Sequence, residues 1–207
     1  MTVRIFFQDR VLPLVLASAS PRRRSLLSRA GFSFEVHPSG VAEAEDPAMD
    51  PEKMVSHNAR IKARAVGKLF PGSLCVGADT TVALNGEVFN KPVDLAEAAN
   101  MLRKLSGREH RVLTGVCFVY PEGGVERLFV EVSRVVFRDL SEDLIERYLA
   151  RVDPLDKAGA YAVQDHGEWI IDRIHGSKEN VMGFPVDKFV EFIGDSGFKL
   201  AFEGENR

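Results

Sequence analysis

Three consecutive arginines stand at the start of a predicted helix, where positive charge is unfavourable. In the stretch "LASASPRRR", Ser20 can cap the helix and Pro21 takes its first position, so Arg22, Arg23 and Arg24 fall in the first turn. This turn is the positive end of the helix dipole, and an exposed cation there costs about 0.3–1 kcal/mol. The pattern favours a bound anion such as phosphate. The alternative is a capped helix with solvated arginines.

Other donors lie beside this helix start. Ser18 and Ser20 offer hydroxyl groups, and guanidinium groups bind phosphate through paired, charge-assisted hydrogen bonds. The stretch lacks the Gly-x4-Gly-Lys spacing of a Walker A loop. It therefore predicts an anion site of a different kind.

A single carboxylate, Asp79, interrupts the apolar run "SLCVGADTTVAL" at residues 73–84. A carboxylate in such a strand needs a partner, so Asp79 is a metal ligand, a general base or a structural residue bonded to nearby backbone. The hairpin signal Asn85-Gly86 follows, and Lys91 comes twelve residues after Asp79. If the hairpin folds back, Lys91 returns towards the same end of the sheet.

The acidic loop at residues 38–50 carries Glu43 and Glu45, and Lys62 follows on a helix. Acids near phosphate-binding cations fit a bridging divalent metal, although each alone would be an ordinary surface charge. The five histidines show neither zinc spacing nor a pattern that indicates an acyl-transfer triad.

Alternating strands and helices must position these residues. The predicted strands are 13–18, 32–37, 73–84, 87–92, 110–120, 124–137 and 168–176. The predicted helices are 21–30, 50–69, 94–105, one beginning at Ser141, and a final helix within 181–193. The long strands read as antiparallel, which favours an α/β fold with a mixed sheet over a purely doubly wound one.

Composition narrows the function classes. The length of 207 residues suits one domain, which could consist of two lobes. The net charge of −3 argues against a general attraction to nucleic acid. No apolar run is long enough to span a membrane and no signal peptide is evident, so we expect a cytoplasmic enzyme. Cys75 and Cys117 lie in apolar runs and are expected to be buried free thiols.

Five stretches occur in order along the chain: "LASASPRR", "VGADTTVALNGEVFNKP", "AANMLRKLSGREHRVLTGV", "DKAGAYAVQ" and "NVMGFPV". With them the chain resembles the Maf (septum-formation-inhibitor-like) family of nucleotide pyrophosphatases, from about residue 13 to 193. The resemblance implies one domain over residues 1–207, with a two-lobed mixed-sheet fold similar to that of the inosine-triphosphatase family. It also implies hydrolysis of nucleoside triphosphates between the α- and β-phosphates with a divalent metal, Mg²⁺ or Mn²⁺. A homodimer is a further family expectation.

The resemblance also implies roles for single residues. Asp79 matches the family's proton acceptor, and Asp79 and Glu43 would hold the metal; Glu45 is a rival for Glu43 because the loop aligns loosely. The residues implied to hold phosphates or to complete the charged site are Ser18, Arg22, Arg23, Lys62 and Lys91.

Specificity has its own pattern in the family. Arg23, Thr80 and Gln164 match the branch that acts on dTTP and UTP, whereas the 7-methyl-GTP branch typically has Trp, Gln and Glu. Lys178 stands where the family commonly has Tyr, which predicts a change in the cleft wall. The alternatives are a pyrophosphatase for 7-methyl-GTP or another non-standard nucleotide, and a non-catalytic nucleotide- or nucleic-acid-binding division regulator.

Overall fold

A computed structural model describes residues 2–46 and 48–203. Outside it lie Met1, Pro47 of the acidic loop and residues 204–207. The first and last residues of the domain expected over 1–207 are among these. The helices are α1 (Pro21–Arg29), α2 (Pro51–Gly67), α3 (Leu95–Leu105), α4 (Glu142–Leu149), α5 (Gly167–Ile170), α6 (Lys178–Met182) and α7 (Val186–Asp195). The strands are β1 (Thr2–Phe7), β2 (Arg10–Leu12), β3 (Leu14–Leu16), β4 (Glu35–Val36), β5 (Leu74–Leu84), β6 (Glu87–Phe89), β7 (Glu109–Tyr120), β8 (Val125–Phe137), β9 (Ile171–His175) and β10 (Lys199–Glu203).

The main sheet is mixed, as the sequence predicts. Its order is β4-β3-β5-β7-β8-β9, and β6 pairs with β5 beside this path. Strand β3 runs parallel to β4 and β5, while the pairs from β5 through β7 and β8 to β9 are antiparallel. The α/β fold with a mixed sheet is therefore confirmed.

The central strand β5 changes neighbours halfway along one of its edges. Strand β3 pairs with residues 74–76, and β6 pairs with residues 82–84 on the same edge. Within the described chain, residues 77–81 between them pair only with β7 on the opposite edge. This gap in the sheet lies beside Asp79.

Two large core clusters lie at the two ends of β5 and β7. In the first, α1 and α7 pack on residues that include Val76, Ala78, Val116 and Phe118. In the second, α3 and α4 pack on residues that include Val82, Leu84 and Val112. Asp79 and Thr80 lie between these two stretches of β5. The two cores agree with the expected two-lobed fold.

Helix α2 lies unusually close to the sheet because two strand positions lack a side chain. A Cβ atom on Gly77 would lie 2.6 Å from the Ala63 backbone nitrogen, and one on Gly115 would lie 2.5 Å from the Val55 carbonyl oxygen. Real Cβ atoms do not come so close to backbone. The two glycines therefore fix the depth at which α2 sits on β5 and β7.

Gly77→Ala tests this close packing. We expect the free energy of unfolding to fall by about 1–3 kcal/mol, because the new methyl group overpacks against the α2 backbone. Urea unfolding measures the change. Gly194→Ala on α7 is the matched control, since nothing lies within 4 Å of a Cβ there and alanine favours a helix. An equal response of the two variants would contradict the packing argument.

The structure corrects several local predictions. Residues 168–176 are not one strand, since α5 covers 167–170 and only β9 is extended. The prediction was wrong because a continuous apolar run does not distinguish a buried helical turn from a strand. The strand predicted at 32–37 shrinks to β4. The segment 181–193 contains the end of α6 before α7 begins.

The terminal segments form a second sheet that the sequence analysis did not predict. Strand β1 pairs with β10 and β2 in an antiparallel three-stranded sheet. Val3 and Ile5 of β1 are buried in the first core cluster. Among the described residues, no helix is both long and apolar enough to cross a membrane.

The two cysteines are buried free thiols, as predicted. Burial raises the pKa of Cys75 to about 11 and that of Cys117 to about 12. Neither thiol is ionised near neutral pH, so neither has the thiolate character that nucleophilic or redox chemistry requires.

Candidate active site

A cavity of about 460 Å³ opens beside the gap in the sheet at Asp79. Nine residues that the family resemblance assigns to the site line it, together with Glu45. These residues are Ser18, Arg22, Arg23, Glu43, Lys62, Asp79, Thr80, Lys91 and Gln164. Segments far apart in the sequence therefore converge on one site.

A buried ion cluster forms the floor of the cavity. Lys62 Nζ donates to Asp79 Oδ1 at 2.9 Å, to Glu43 Oε2 at 2.6 Å and to the Ala78 carbonyl at 3.3 Å. The side chains of Lys62 and Asp79 are 7% and 12% exposed, so water screens their attraction little. Glu43 contacts this cluster and Glu45 has no side-chain contact with it, so the geometry favours Glu43 over its rival.

Asn58 completes the contacts of Asp79 and was not identified from the sequence. Its Nδ2 donates to Asp79 Oδ2 at 2.9 Å, and its side chain is buried on α2. Asn58 lies four residues before Lys62, so both side chains project from one face of the helix. The sequence signal that could have identified Asn58 is a polar residue on an otherwise apolar helix face, one turn from the candidate Lys62.

Arg23 lies between the start of α1 and the strand residue Thr80. Its Nη1 donates to Ser18 Oγ at 3.0 Å, its Nη2 to Thr80 Oγ1 at 3.2 Å, and its Nε to the Gly183 carbonyl at 2.9 Å. Burial lowers the pKa of Arg23, and the negative charges of Asp79 and Glu43 oppose that shift. A guanidinium group nevertheless stays charged at neutral pH, so Arg23 carries a fixed positive charge into the cavity.

Arg22 is held by a carboxylate from the far side of the cavity. Its Nη1 donates to Asp156 Oδ2 at 2.8 Å, and the buried Lys157 Nζ lies 2.6 Å from Asp156 Oδ1. Burial raises the pKa of Asp156, but the hydrogen bond from Lys157 and the charge of Arg22 outweigh this and lower it. The sequence analysis quoted "DKAGAYAVQ" for the resemblance but assigned no role to this pair.

The first turn of α1 keeps its amide groups available. Ser20 occupies the N-cap position, yet within the described chain its side chain makes no capping hydrogen bond, which corrects the expectation that Ser20 caps the helix. The first turn contains no acidic residue. Arg24 is exposed and does not line the cavity, so only two of the three arginines face the site.

Three other residues define the rim and one wall. Lys91 and Gln164 line the cavity and are exposed, so both are accessible to a ligand. Lys178 is exposed at the start of α6 and lies outside the lining, so the predicted change in the cleft wall is not found. Tyr161 lines the wall and is hydrogen-bonded to His110 Nε2 at 2.8 Å.

The acidic groups fit a metal that is shared with a ligand. Among the residues that the structure describes, no group of three or more His, Cys, Asp or Glu side chains could hold a metal ion. Asp79 and Glu43 both bind the Lys62 ammonium, which occupies the point between them, so a metal would bind the remaining lone pairs of these carboxylates. Mg²⁺ is typically bound by one or two carboxylates together with water and substrate phosphates, and this pair matches that donor set.

Known proteins are similar to this chain over most of its length. A family model described as "Maf-like protein" matches residues 13–196. A protein named dTTP/UTP pyrophosphatase from Akkermansia muciniphila is 43% identical over 187 residues, covering 90% of this chain and 98% of that protein. Proteins with the same name from Syntrophus aciditrophicus and Pyrococcus furiosus are 43% and 41% identical, over 93% and 90% of this chain and 93% and 96% of their own. The chain therefore belongs to the Maf family.

Proposed function

We propose that this protein is a nucleoside triphosphate pyrophosphatase that converts dTTP and UTP to the monophosphate and pyrophosphate. The observation that carries the proposal is the cavity itself, which brings the buried Asp79–Lys62 pair and the exposed Glu43 together with an arginine-rich helix start. The relatives named dTTP/UTP pyrophosphatase match nearly the whole chain and point to the same activity. We also propose that the chain forms a single domain.

The phosphates bind at the start of α1. The free amides of its first turn, the Ser18 hydroxyl and the two inward-facing arginines are donors suited to phosphate oxygens. Lys91 adds a point charge at the rim. Because Arg22 and Arg23 face the cavity and already pair with groups there, they do not form the solvated basic patch that a nucleic-acid-binding regulator would need.

Asp79 orients and deprotonates the attacking water. The water oxygen bonds to the α-phosphorus, the bond from that phosphorus to the oxygen bridging the β-phosphate breaks, and pyrophosphate leaves, while the proton of the water passes to Asp79. Lys62 and Asn58 each occupy one site on the carboxylate oxygens, which leaves lone pairs for this role. A divalent metal held by Asp79 and Glu43 would neutralise phosphate charge and polarise the phosphoryl oxygens.

Base specificity rests on Arg23, Thr80 and Gln164. Arg23 and Thr80 are in direct contact, and Thr80 Oγ1 is also hydrogen-bonded to Thr114 Oγ1 at 3.0 Å, so these two residues act as one preset unit. The exposed Gln164 amide offers a donor and an acceptor for a pyrimidine edge. The 7-methyl-GTP branch of the family typically has Trp, Gln and Glu at these three positions, so the residues present here favour dTTP and UTP.

Pyrophosphate release from a nucleotide panel tests the proposal. The panel contains dTTP, UTP, 7-methyl-GTP, dITP, ATP and GTP, each with Mg²⁺, Mn²⁺ or EDTA. We expect release led by dTTP and UTP, dependent on added metal and absent in EDTA, because the two carboxylates need a shared cation next to the phosphates. Release led by another base would overturn the specificity, and no release from folded protein would overturn the activity.

A further inference from the structure

Asn58 connects two parts of the site that are otherwise separate. Its Nδ2 donates both to Asp79 Oδ2 and to the Ala44 carbonyl, each at 2.9 Å. Its Oδ1 accepts a hydrogen bond from the Ala44 amide at 2.8 Å. One buried side chain thus contacts the carboxylate on β5 and the backbone of the acidic loop.

The network leaves only one orientation for this amide. If the Asn58 amide were flipped, its Oδ1 would face Asp79 Oδ2 and the Ala44 carbonyl, and its Nδ2 would face the Ala44 amide. Acceptors would then face acceptors, and a donor would face a donor. The orientation with Nδ2 towards Asp79 is therefore fixed by the partners.

The carboxylate of Asp79 is held at both oxygens. Lys62 binds Oδ1 and Asn58 binds Oδ2, each at 2.9 Å. A rotation of the carboxylate about its last bond would break both contacts at once. Asn58 differs from Lys62 in that it carries no charge, so it orients the carboxylate without neutralising it.

The acidic loop is anchored at residues next to Glu43. In the described part of residues 38–50, no helix or strand holds the loop in place. Instead, Asn58 makes two hydrogen bonds to the backbone of Ala44, and Asn90 Nδ2 donates to the Glu45 carbonyl at 3.0 Å. These contacts hold Glu43 within reach of Lys62.

We infer that Asn58 is a positioning residue for the proposed hydrolysis, which aligns the Asp79 carboxylate and ties it to the loop that carries Glu43. The inference deepens the proposed function and rests on it. In this role the Asn58 amide does not touch the substrate and acts only through Asp79 and Glu43. Loss of Asn58 should affect the chemical step more than nucleotide binding.

Two substitutions separate this role from a purely structural one. Asn58→Leu keeps the approximate side-chain volume and removes all three hydrogen bonds. We expect kcat to fall about 10- to 100-fold and KM for the nucleotide to change less than about threefold. We also expect the Mg²⁺ concentration that gives half-maximal activity to rise. Asn58→Asp keeps the shape but places a second carboxylate against Asp79. An ionised carboxylate has no hydrogen to donate to Asp79 Oδ2, so we expect kcat to fall at least as far as in Asn58→Leu.

Asn100→Leu is the control for loss of an amide. Asn100 is on α3 and accepts a hydrogen bond from the exposed Arg103, so its substitution should leave kcat and KM unchanged. Thermal melting checks that each variant is folded. The inference is overturned if Asn58→Asp keeps the wild-type kcat, or if Asn58→Leu loses activity only in proportion to the unfolded fraction.

A second measurement does not depend on activity. In nuclear magnetic resonance spectra of the wild-type protein, the side-chain NH₂ protons of Asn58 should exchange slowly with solvent and shift when Asp79 is replaced by Asn. Rapid exchange and no shift would contradict the inference even in an active enzyme. If the wild type releases no pyrophosphate but the protons behave as expected, the proposed function fails while the predicted hydrogen bond stands.

Discussion

Asp79→Asn should lower the rate of pyrophosphate release by several orders of magnitude while the protein stays folded. The amide cannot accept the proton of the attacking water and carries no charge for a metal. It also places an NH₂ group against either the ammonium of Lys62 or the amide of Asn58, both of which now donate to the carboxylate. We therefore expect a modest loss of stability, about 1–3 kcal/mol, from one mismatched hydrogen bond.

The measurement is the single-turnover rate with saturating dTTP and Mg²⁺, together with urea unfolding of the same preparation. Asp143→Asn is the matched control, because that carboxylate is exposed on α4 and its one ion pair with a described residue is with Arg147. It should alter neither quantity appreciably. Near-normal turnover of Asp79→Asn would remove Asp79 from the mechanism.

Lys62→Met should be the second most damaging substitution, and it should affect both activity and stability. The methionine leaves Asp79 buried without its cation, and removal of one partner of a buried ion pair costs about 3–5 kcal/mol. Turnover should fall about 10²- to 10³-fold, since preorganised charge at the phosphates is lost and Glu43 loses its anchor.

The double variant Lys62→Met/Asp79→Asn provides the control for this interpretation. Removing the stranded charge should recover part of the stability and none of the activity. Urea unfolding between pH 4 and pH 8 gives the stability of all three variants. A double variant that is less stable than Lys62→Met alone would contradict the view that an unpaired carboxylate causes the damage.

The fold was predictable where local signals are strong. The hairpin signal at residues 85–86, the N-cap at Asp94 and the two long strands β7 and β8 appear where the sequence places them. The signals failed where tertiary packing decides the conformation. Residues 167–170 form a helical turn inside an apolar run, and β1 is paired with a strand almost two hundred residues away.

The site was predictable by residue type but not by contact. Most of the named residues line the cavity, but Arg24 and Lys178 do not. The lining residues could be named because charged groups at a helix start, inside an apolar strand or after a hairpin are unusual in sequence. The partners escaped detection, since Asn58 and Asp156 look like ordinary polar residues in sequence. Asn58 contacts Asp79 only because α2 packs on β5, and Asp156 contacts Arg22 only because the chain near residue 156 lies next to α1.

The two arginine contacts across the cavity join segments that are far apart along the chain. Arg22 binds a residue 134 positions away, and Arg23 binds one 160 positions away. Closing such loops costs chain entropy that local structure does not offset, so these contacts form only when most of the chain has already folded. A partly folded or incompletely synthesised chain therefore holds isolated arginines and an isolated carboxylate, and it lacks the assembled site that the proposed hydrolysis needs.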